Sequence, residues 1–351
     1  MADSVGLGII GCGQISSHHI RNSQDDPRVR WVAACDIRRA AVEERAAQFD
    51  IPGRYTAVAD LLADPAVDAV IVATGPEAHL EPTVAAFEAG KHVLVEKPVA
   101  IDSAQVEQML AAQGDLTGAC CSSRFRSTPG AHAATEVLAS GRLGSIRRLI
   151  ASSLRPPPAN YDGTSPFFLH RPGWGGQGAL ADWGVYDLDY LLGLTGWTLE
   201  PQSICAAMSG VPQVYRQIAG PVNDVEVAVT AQVSFSGDAA LDYHRDMFAA
   251  VDEPREAWRI ECEHGALDLQ MLTATPQVIL RSFSASGIAS EIVVEEAYEW
   301  PVIHRGPVID FVDAIVDGRQ PMTSLDNALV VQRVVDGIYR AAAEDSPASC
   351  R

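Results

Sequence analysis

Short apolar runs punctuate the first third of the chain, and each is followed by a stretch whose apolar residues recur at helical spacing. Val5–Ile10 reads as a buried strand followed by a helix to about Ser23, and Val29–Cys35 as a second strand. A helix around 57–63 then precedes a strand at 69–73, and a helix at 76–89 stops at Gly90. A strand at 92–95, a helix at 103–112 and a strand at 118–122 continue the series. Gly90 suits the position just past a helix end, where a left-handed backbone is needed. Strands separated by roughly 10–15-residue helical patterns predict a parallel, doubly wound sheet.

The pattern changes near residue 123. A helical stretch runs from Ser123 to about Ser140, and the glycines of 141–144 turn the chain into a strand at 146–152. Residues 155–177 are rich in proline, glycine and large aromatics, which reads as a long ordered loop, because linkers rarely carry so many aromatics. Beyond 200, alternating runs at 225–234, 239–248, 257–263 and 266–270 follow one another without helices between them. That succession predicts an antiparallel sheet. Such a sheet takes helices on one face, and a large exposed second face would favour dimer or tetramer formation. Amphipathic helices at 307–317 and 325–343 close the chain.

Composition narrows the functional classes. The 351 residues suffice for two domains, each with a full core. A net charge of −19 argues against nucleic-acid or anionic-membrane binding, since both need basic patches. No apolar run approaches the ~18 residues of a membrane span, and a strand pattern already begins at Val5, so no signal peptide is expected. Cysteines at 12, 35, 120, 121, 205, 262 and 350 are odd in number, and several lie inside strand patterns. They suit buried thiols in a reducing compartment, and without CxxC spacing zinc is not indicated. The expectation is a cytoplasmic, metal-free soluble protein.

Candidate chemistry gathers at strand ends. After the first strand comes Gly11-Cys12-Gly13-Gln14-Ile15-Ser16, a dinucleotide fingerprint in its required context of strand, tight turn and helix. Gly11 permits the turn, Gly13 lets the backbone approach a pyrophosphate, and the helix N-terminus offers N–H groups. Ser16 stands at the third glycine position. The second strand ends in Asp36, which suits the adenosine ribose hydroxyls and repels a 2′-phosphate, favouring NAD. Arg38 and Arg39 just beyond leave NADP open, and Asp36 would equally serve as a helix cap. Thr74-Gly75-Pro76 should lie beside the nicotinamide half, and His79 in the following helix reads as structural. Val93-Leu94-Val95-Glu96-Lys97-Pro98 stops a buried strand at a charged pair and a proline. Only Lys91 and Lys97 are lysines among 26 basic residues, so an amine here is not a default cation. Amines shift pKa and move protons where guanidinium does not. The plain alternative is a solvated strand-end lysine paired with Glu96.

A second group lies at 178–192. Asp182, Tyr186 and Asp189 fall at i, i+4 and i+7, so a helix would set all three on one face, with Val185, Leu188 and Leu192 opposite. Two carboxylates and a phenol can hold polyol hydroxyls and move a proton. A solvated acidic face with Asp182 as cap would look the same. His244 and Asp246 share a later strand and could reach a substrate, although a strand histidine is more often structural.

The glycine loop, Thr74 with His79 five residues on, and Ala89-Gly90-Lys91-His92-Val93 leading to Glu96-Lys97-Pro98 together resemble one family. It is the glucose-fructose oxidoreductase, inositol dehydrogenase and rhizopine-catabolism family of NAD(P)-dependent sugar and cyclitol oxidoreductases. Gly75-Pro76 departs from its usual Pro-Asn. Gly178-Ala-Leu-x-Asp182-x-Gly184, with Asp189, resembles its second signature, with Tyr186 where the family usually has histidine.

The resemblance implies an α/β plus α+β architecture: a Rossmann doubly wound parallel sheet over 1–123, and a substrate-binding and oligomerisation domain over 124–351 whose open, mainly antiparallel sheet has helices on one face. It implies NAD or NADP contacts from Gly11, Gly13, Gln14, Ile15, Asp36, Ile37, Arg38, Thr74, Pro76, His79, Glu96 and Lys97. Lys97 would sit beside substrate and nicotinamide, with the bond before Pro98 often cis. A phenol of pKa about 10 accepts a proton poorly at neutral pH. Tyr186 therefore needs a neighbouring cation, for which Lys97 is the candidate. Asp182 would orient substrate or Lys97, Asp189 would contact hydroxyls, and Arg124 and Arg171 are substrate contacts or ion-pair partners. The implied activity is hydride transfer to or from a secondary alcohol or ketone of a sugar, cyclitol or polyol, in a homodimer or homotetramer. An NAD-dependent glycosidase and a non-catalytic NAD sensor are the alternatives.

Overall fold

The computed structural model describes residues 4–157, 176–216 and 224–344. The chain forms two compact units, Met1–Ser127 with Trp300–Gln332, and Thr128–Glu299 with Arg333–Arg351.

The first unit alternates strands and helices. In order these are β1 (Val5–Ile10), α1 (Gln14–Ser23), β2 (Val29–Cys35), α2 (Arg39–Gln48), β3 (Gly53–Tyr55), α3 (Val58–Leu62) and β4 (Ala69–Val72). Then come α4 (Leu80–Glu88), β5 (His92–Val95), α5 (Ser103–Gln113) and β6 (Gly118–Cys120). Gly90, past α4, has φ +73°, as the helix-end reading expects. Asp102 caps α5 by accepting from Gln105 N at 2.9 Å. All strand pairs are parallel, in the order β3-β2-β1-β4-β5-β6. The order reverses between β1 and β4, and ligands of such sheets bind outside the carboxyl ends of the strands at that switch. Register sets those ends level: Ile10 lies opposite Cys35 and Val72, and Val95 opposite Val72 and Cys120. Gly11, Asp36, Ala73 and Glu96 therefore leave the sheet along one edge. Leu7, Ile9, Ile71 and Leu94 are fully buried, each contributing on the order of 1.5–3 kcal/mol, so that edge rests on a stiff core.

The second unit begins with α6 (Pro129–Ala139), capped by Thr128, and β7 (Ile146–Leu154). A π-helical turn at Leu180–Gly184 leads into α7 (Val185–Leu194). The strands β8 (Pro201–Ser209), β9 (Ala228–Phe235), β10 (Ala240–Asp246), β11 (Arg255–Cys262), β12 (Gly265–Leu269), β13 (Val278–Ser284) and β14 (Gly287–Val294) follow. They form one sheet in the order β14-β13-β12-β11-β7-β10-β9-β8. Its pairs are antiparallel except β7 with β10. Alternation gives it one apolar face, carrying Val229, Val233, Leu241, Tyr243, Trp258 and Ile260, which the helices cover. The opposite face carries Gln232, Asp242 and the exposed His244. Parity therefore turns His244 away from the helix-covered face.

The last two helices correct the expected division at residue 123. In α8 (Pro301–Asp317), Val308, Phe311 and Val312 join the core cluster of Leu7, Ile9 and Ile71 in the first unit. In α9 (Leu325–Ala343), Leu325, Ala328 and Leu329 join the cluster of Val93 and Val95, and the boundary falls within the helix. An amphipathic pattern says that a helix covers a core, not which core. Cys12, Cys35, Cys120, Cys121 and Cys262 are buried free thiols, whereas Cys205 is disulfide-bonded. Among the described residues no helix is long and apolar enough to cross a membrane.

Candidate active site

The glycine loop opens on Gly11, whose φ of +99° and close approach to β4 exclude any side chain, since a Cβ would lie 2.6 Å from Ala73 O. Gly13 differs. A Cβ built there meets nothing within 4 Å, so the space above it is open to a ligand. Gly13 is also the N-cap of α1 and makes no side-chain cap hydrogen bond, leaving helix N–H groups aimed at that space. Ser16, in the third glycine position, is fully buried and donates its hydroxyl to Gly13 O at 2.6 Å. Arg45 of α2 braces the loop from behind, Nη2 donating to Gly13 O at 3.1 Å. Gln14 is exposed and Ile15 half-buried.

Asp36 closes the adjacent corner. Cys12 N donates to its Oδ2 at 2.9 Å, and Arg38 N to its Oδ1 at 2.9 Å, which fixes the carboxylate at the tip of β2. The Arg38 guanidinium lies 3.4 Å from the same Oδ1. Ile37 is 92% exposed, an apolar side chain held in solvent beside that acid. This cradle fits a dinucleotide: open backbone above Gly13, an immobilised acid for ribose hydroxyls and an apolar surface for a base.

Beyond β4, Thr74 donates its hydroxyl to Ala78 O at 3.1 Å, and Pro76 starts the 3₁₀ turn that precedes α4. His79 is fully buried, with Nε2 3.0 Å from Thr74 O and Nδ1 3.1 Å from Pro98 O. Burial lowers its pKa, opposed in part by these carbonyls. It ties the Thr74 turn to the turn after Lys97.

Glu96 corrects the picture of a solvated pair with Lys97. The carboxylate is buried; its Oε1 accepts from Arg124 Nη2 and lies against His19 Nε2, both at 2.7 Å, and its Oε2 accepts from Lys97 N at 2.8 Å. Burial alone would raise its pKa, but the Arg124 guanidinium and His19 outweigh burial and hold it well below the usual carboxylate range. Glu96 and Arg124 thus form a buried ion pair. His19, Glu96 and Cys121 bring three ligand-type atoms within 4.8 Å of one another. The carboxylate there is already hydrogen-bonded, and burial pushes the Cys121 thiol up and keeps it protonated, which does not fit a metal centre. The Lys97–Pro98 bond is cis, and Lys97 is half-buried at the strand end.

In the second unit the expected single α-helix begins instead as a wide π turn that contains Asp182, a frequent device at functional sites. Every residue of α7 is buried, Tyr186, Asp187 and Asp189 among them, which excludes a solvated acidic face. The turn is clamped from behind: Glu226 Oε1 accepts from Leu180 N at 2.8 Å and from Tyr339 OH at 2.9 Å. Two glycines permit this packing. A Cβ at Gly178 would lie 2.3 Å from Glu226 O, and one at Gly184 would lie 2.8 Å from the Tyr243 hydroxyl.

Sequence reasoning passed over the group beneath this turn. Asp187 accepts from Arg245 Nη2 at 2.8 Å and Nε at 3.1 Å, from Trp258 Nε1 at 2.9 Å and from Tyr243 OH at 3.1 Å. The signal was present: Arg245 continues the inward phase of Leu241 and Tyr243, where an arginine must find a buried acid. Lys97 belongs to the first unit, and Asp182, Tyr186 and Asp189 to the second; Arg171 lies outside the described residues.

A sequence model described as "Oxidoreductase family, NAD-binding Rossmann fold" matches residues 5–120, and one described as "GFO/IDH/MocA C-terminal domain" matches residues 131–268. Inositol 2-dehydrogenase of Rhizobium meliloti is 24% identical over 357 residues, 97% of this chain and 98% of that protein. Trans-1,2-dihydrobenzene-1,2-diol dehydrogenase of Mus musculus is 31% identical over 207 residues, 57% of this chain and 58% of that protein. Among solved structures, an oxidoreductase domain protein from Kribbella flavida superposes with a TM-score of 0.82 at 24% identity, covering 98% of each chain. Levoglucosan dehydrogenase in complex with NADH and L-sorbose superposes with a TM-score of 0.82 at 19% identity, again over 98% of each chain. At these identities the superpositions speak for the fold. With both halves matched, the chain belongs to the GFO/IDH/MocA family of NAD-binding oxidoreductases.

Proposed function

We propose that this protein is an NAD-dependent dehydrogenase or ketoreductase acting on a secondary alcohol or ketone of a sugar, cyclitol or related polyol. One observation carries the reading: level strand ends set the open space above Gly13, the fixed carboxylate of Asp36 and the amine-bearing Lys97 along one edge of one sheet. Named relatives add the substrate class, since inositol 2-dehydrogenase and 1,5-anhydro-D-fructose reductase act, by their names, on a cyclitol and a sugar. Asp36 favours NAD, because a 2′-phosphate beside a fixed carboxylate is repelled.

When bound, nicotinamide supplies the hydride acceptor or donor. The chain's residues do the rest. Gly13 and the α1 N-terminus hold the pyrophosphate, Asp36 the adenosine ribose, and Ile37 and Arg38 flank the adenine. Thr74 and Pro76 line the nicotinamide half. Tyr186 exchanges the proton of the reacting hydroxyl, Lys97 supplies the positive charge that a phenol needs to do so, and Asp182 and Asp189 hold substrate hydroxyls or that pair. The face of the second unit's sheet that carries the exposed Gln232 and His244 is the surface for homodimer or homotetramer formation. The test is a reduction screen of the full chain with NAD and NADP against inositols, aldoses, amino sugars and glycosides. Reduction of NAD by none of them, or cleavage of a glycoside without net reduction, would overturn the reading.

A further inference from the structure

Arg245 is 1% exposed, yet it is a charged residue in the interior of the second unit. Buried ion pairs are poor stabilisers, because desolvation offsets their attraction and apolar replacements are often as stable. A geometric role accounts for this one better than a stabilising role. The guanidinium is pinned on every edge: Nε and Nη2 donate to Asp187, and Nη1 donates to Ser153 Oγ at 3.3 Å. Its flat face is left for Trp183, whose ring centroid lies 5.5 Å from the guanidinium carbon. A second guanidinium, Arg155, lies 5.6 Å from the same ring and is itself held by Glu256 Oε1 at 2.6 Å. Trp183 stands in the π turn, next to Asp182, and meets the ring of Tyr186 edge to face, with centroids 5.9 Å apart at 66°.

These contacts form a continuous path from a fixed charge to a phenol. We propose that Arg245, anchored by Asp187 and acting through the indole of Trp183, is a positioning residue that sets the aim of the Tyr186 ring. A Tyr ring turns about two side-chain bonds, and the wide π turn gives the backbone ahead of it extra room. The edge of an immobilised indole removes that latitude. The claim rests on the reading of Tyr186 as the proton-exchanging group, and misplacement of such a group by about 1 Å lowers turnover on the order of a hundredfold.

The test compares Trp183→Leu, Trp183→Phe, the double variant Asp187→Leu/Arg245→Met and Tyr186→Phe. Each is assayed for thermal midpoint, NAD affinity by fluorescence titration, kcat and KM, and the Tyr186 ring pose is read from a crystal structure of Trp183→Leu. Removing both charges together leaves no orphaned ion, and Trp183 is half-buried, so Trp183→Leu serves if the double variant does not fold. The expected result is a kcat lower by roughly 10–100-fold in Trp183→Leu and in the double variant, with KM and NAD affinity within about twofold. Trp183→Phe should recover most of the turnover, because it restores a ring edge, and Tyr186 should be turned in the Trp183→Leu crystals. Turnover within about twofold of the parent in Trp183→Leu with Tyr186 unmoved would overturn the proposal. Full turnover in Tyr186→Phe would remove the proton role instead, and the ring pose would still decide the positioning claim.

Discussion

Arg124 Nη2 donates to Glu96 Oε1 at 2.7 Å inside the first unit, immediately before Lys97 in the chain. The carboxylate at the end of β5 is thereby neutralised by a guanidinium, while its other oxygen takes the Lys97 backbone N–H at 2.8 Å. The pair fixes the backbone from which Lys97 projects. Replacing Arg124 by Met leaves Glu96 charged and buried, and removing one partner of a buried pair costs about 3–5 kcal/mol. Urea unfolding followed by far-ultraviolet circular dichroism should show a loss of that size. Arg124→Lys should recover only part of it, because a lysine cannot reproduce the planar guanidinium.

Two glycines two residues apart should behave oppositely. Gly11→Ala forces a side chain against Ala73 O at 2.6 Å with φ at +99°, so it should lower the thermal midpoint and NAD affinity together. Gly13→Ala meets no protein atom within 4 Å and should leave the midpoint within about a degree while weakening NAD binding by roughly tenfold or more. Calorimetric titration beside differential scanning fluorimetry separates the two. Equal loss of stability in both variants would contradict an open cradle above Gly13.

Asp36 should carry the cofactor preference. Asp36→Ser removes the fixed carboxylate and frees Arg38, whose guanidinium lies 3.4 Å from that carboxylate in the parent, to meet a 2′-phosphate. The NAD-to-NADP ratio of kcat/KM is expected to fall by about tenfold or more, about 1.4 kcal/mol per decade. An unchanged ratio would show that the preference lies elsewhere.

The histidines give a pH dependence of stability. His304 is lowered from 6.5 to about 3 by burial, with the Arg124 guanidinium and His18 adding to it, and burial also lowers His18, His79 and His92. Each is neutral in the fold and takes up a proton more readily when unfolded. For His304 the unfolded chain therefore binds more protons between pH 3 and 6.5, and stability is full above 6.5 and is lost as pH falls through that window. Thermal midpoints measured from about pH 7.5 to about pH 5 should decline, and His304→Phe should flatten the slope. A midpoint that rises on acidification would contradict the sign.

How much of this was legible follows from what periodicity can report. Strand and helix alternation exposed the first sheet because its buried strands read as unbroken apolar runs, as in Ala69–Val72 and in Val93, Leu94 and Val95 of β5. The destination of α8 was not legible, since Val308, Phe311 and Val312 would cover either core equally well. The edge strand β14 was missed because it is largely exposed and its side chains do not alternate cleanly. The π turn at Leu180–Gly184 follows from packing of Gly178 and Gly184 against Glu226 and Tyr243, which no local pattern carries. Asp187 was passed over for its neighbours Tyr186 and Asp189, because its partners Arg245 and Trp258 come from strands far along the chain.

In the proposed mechanism Tyr186 exchanges the substrate proton and Lys97 supplies the positive charge that lets a phenol do so. Turnover of Lys97→Ala and Tyr186→Phe at saturating substrate, followed by the absorbance of the reduced cofactor, decides between these roles and none. Both variants should lose roughly 10²–10⁴-fold in kcat, the range of general acid–base catalysis. Near-normal turnover in both would contradict it.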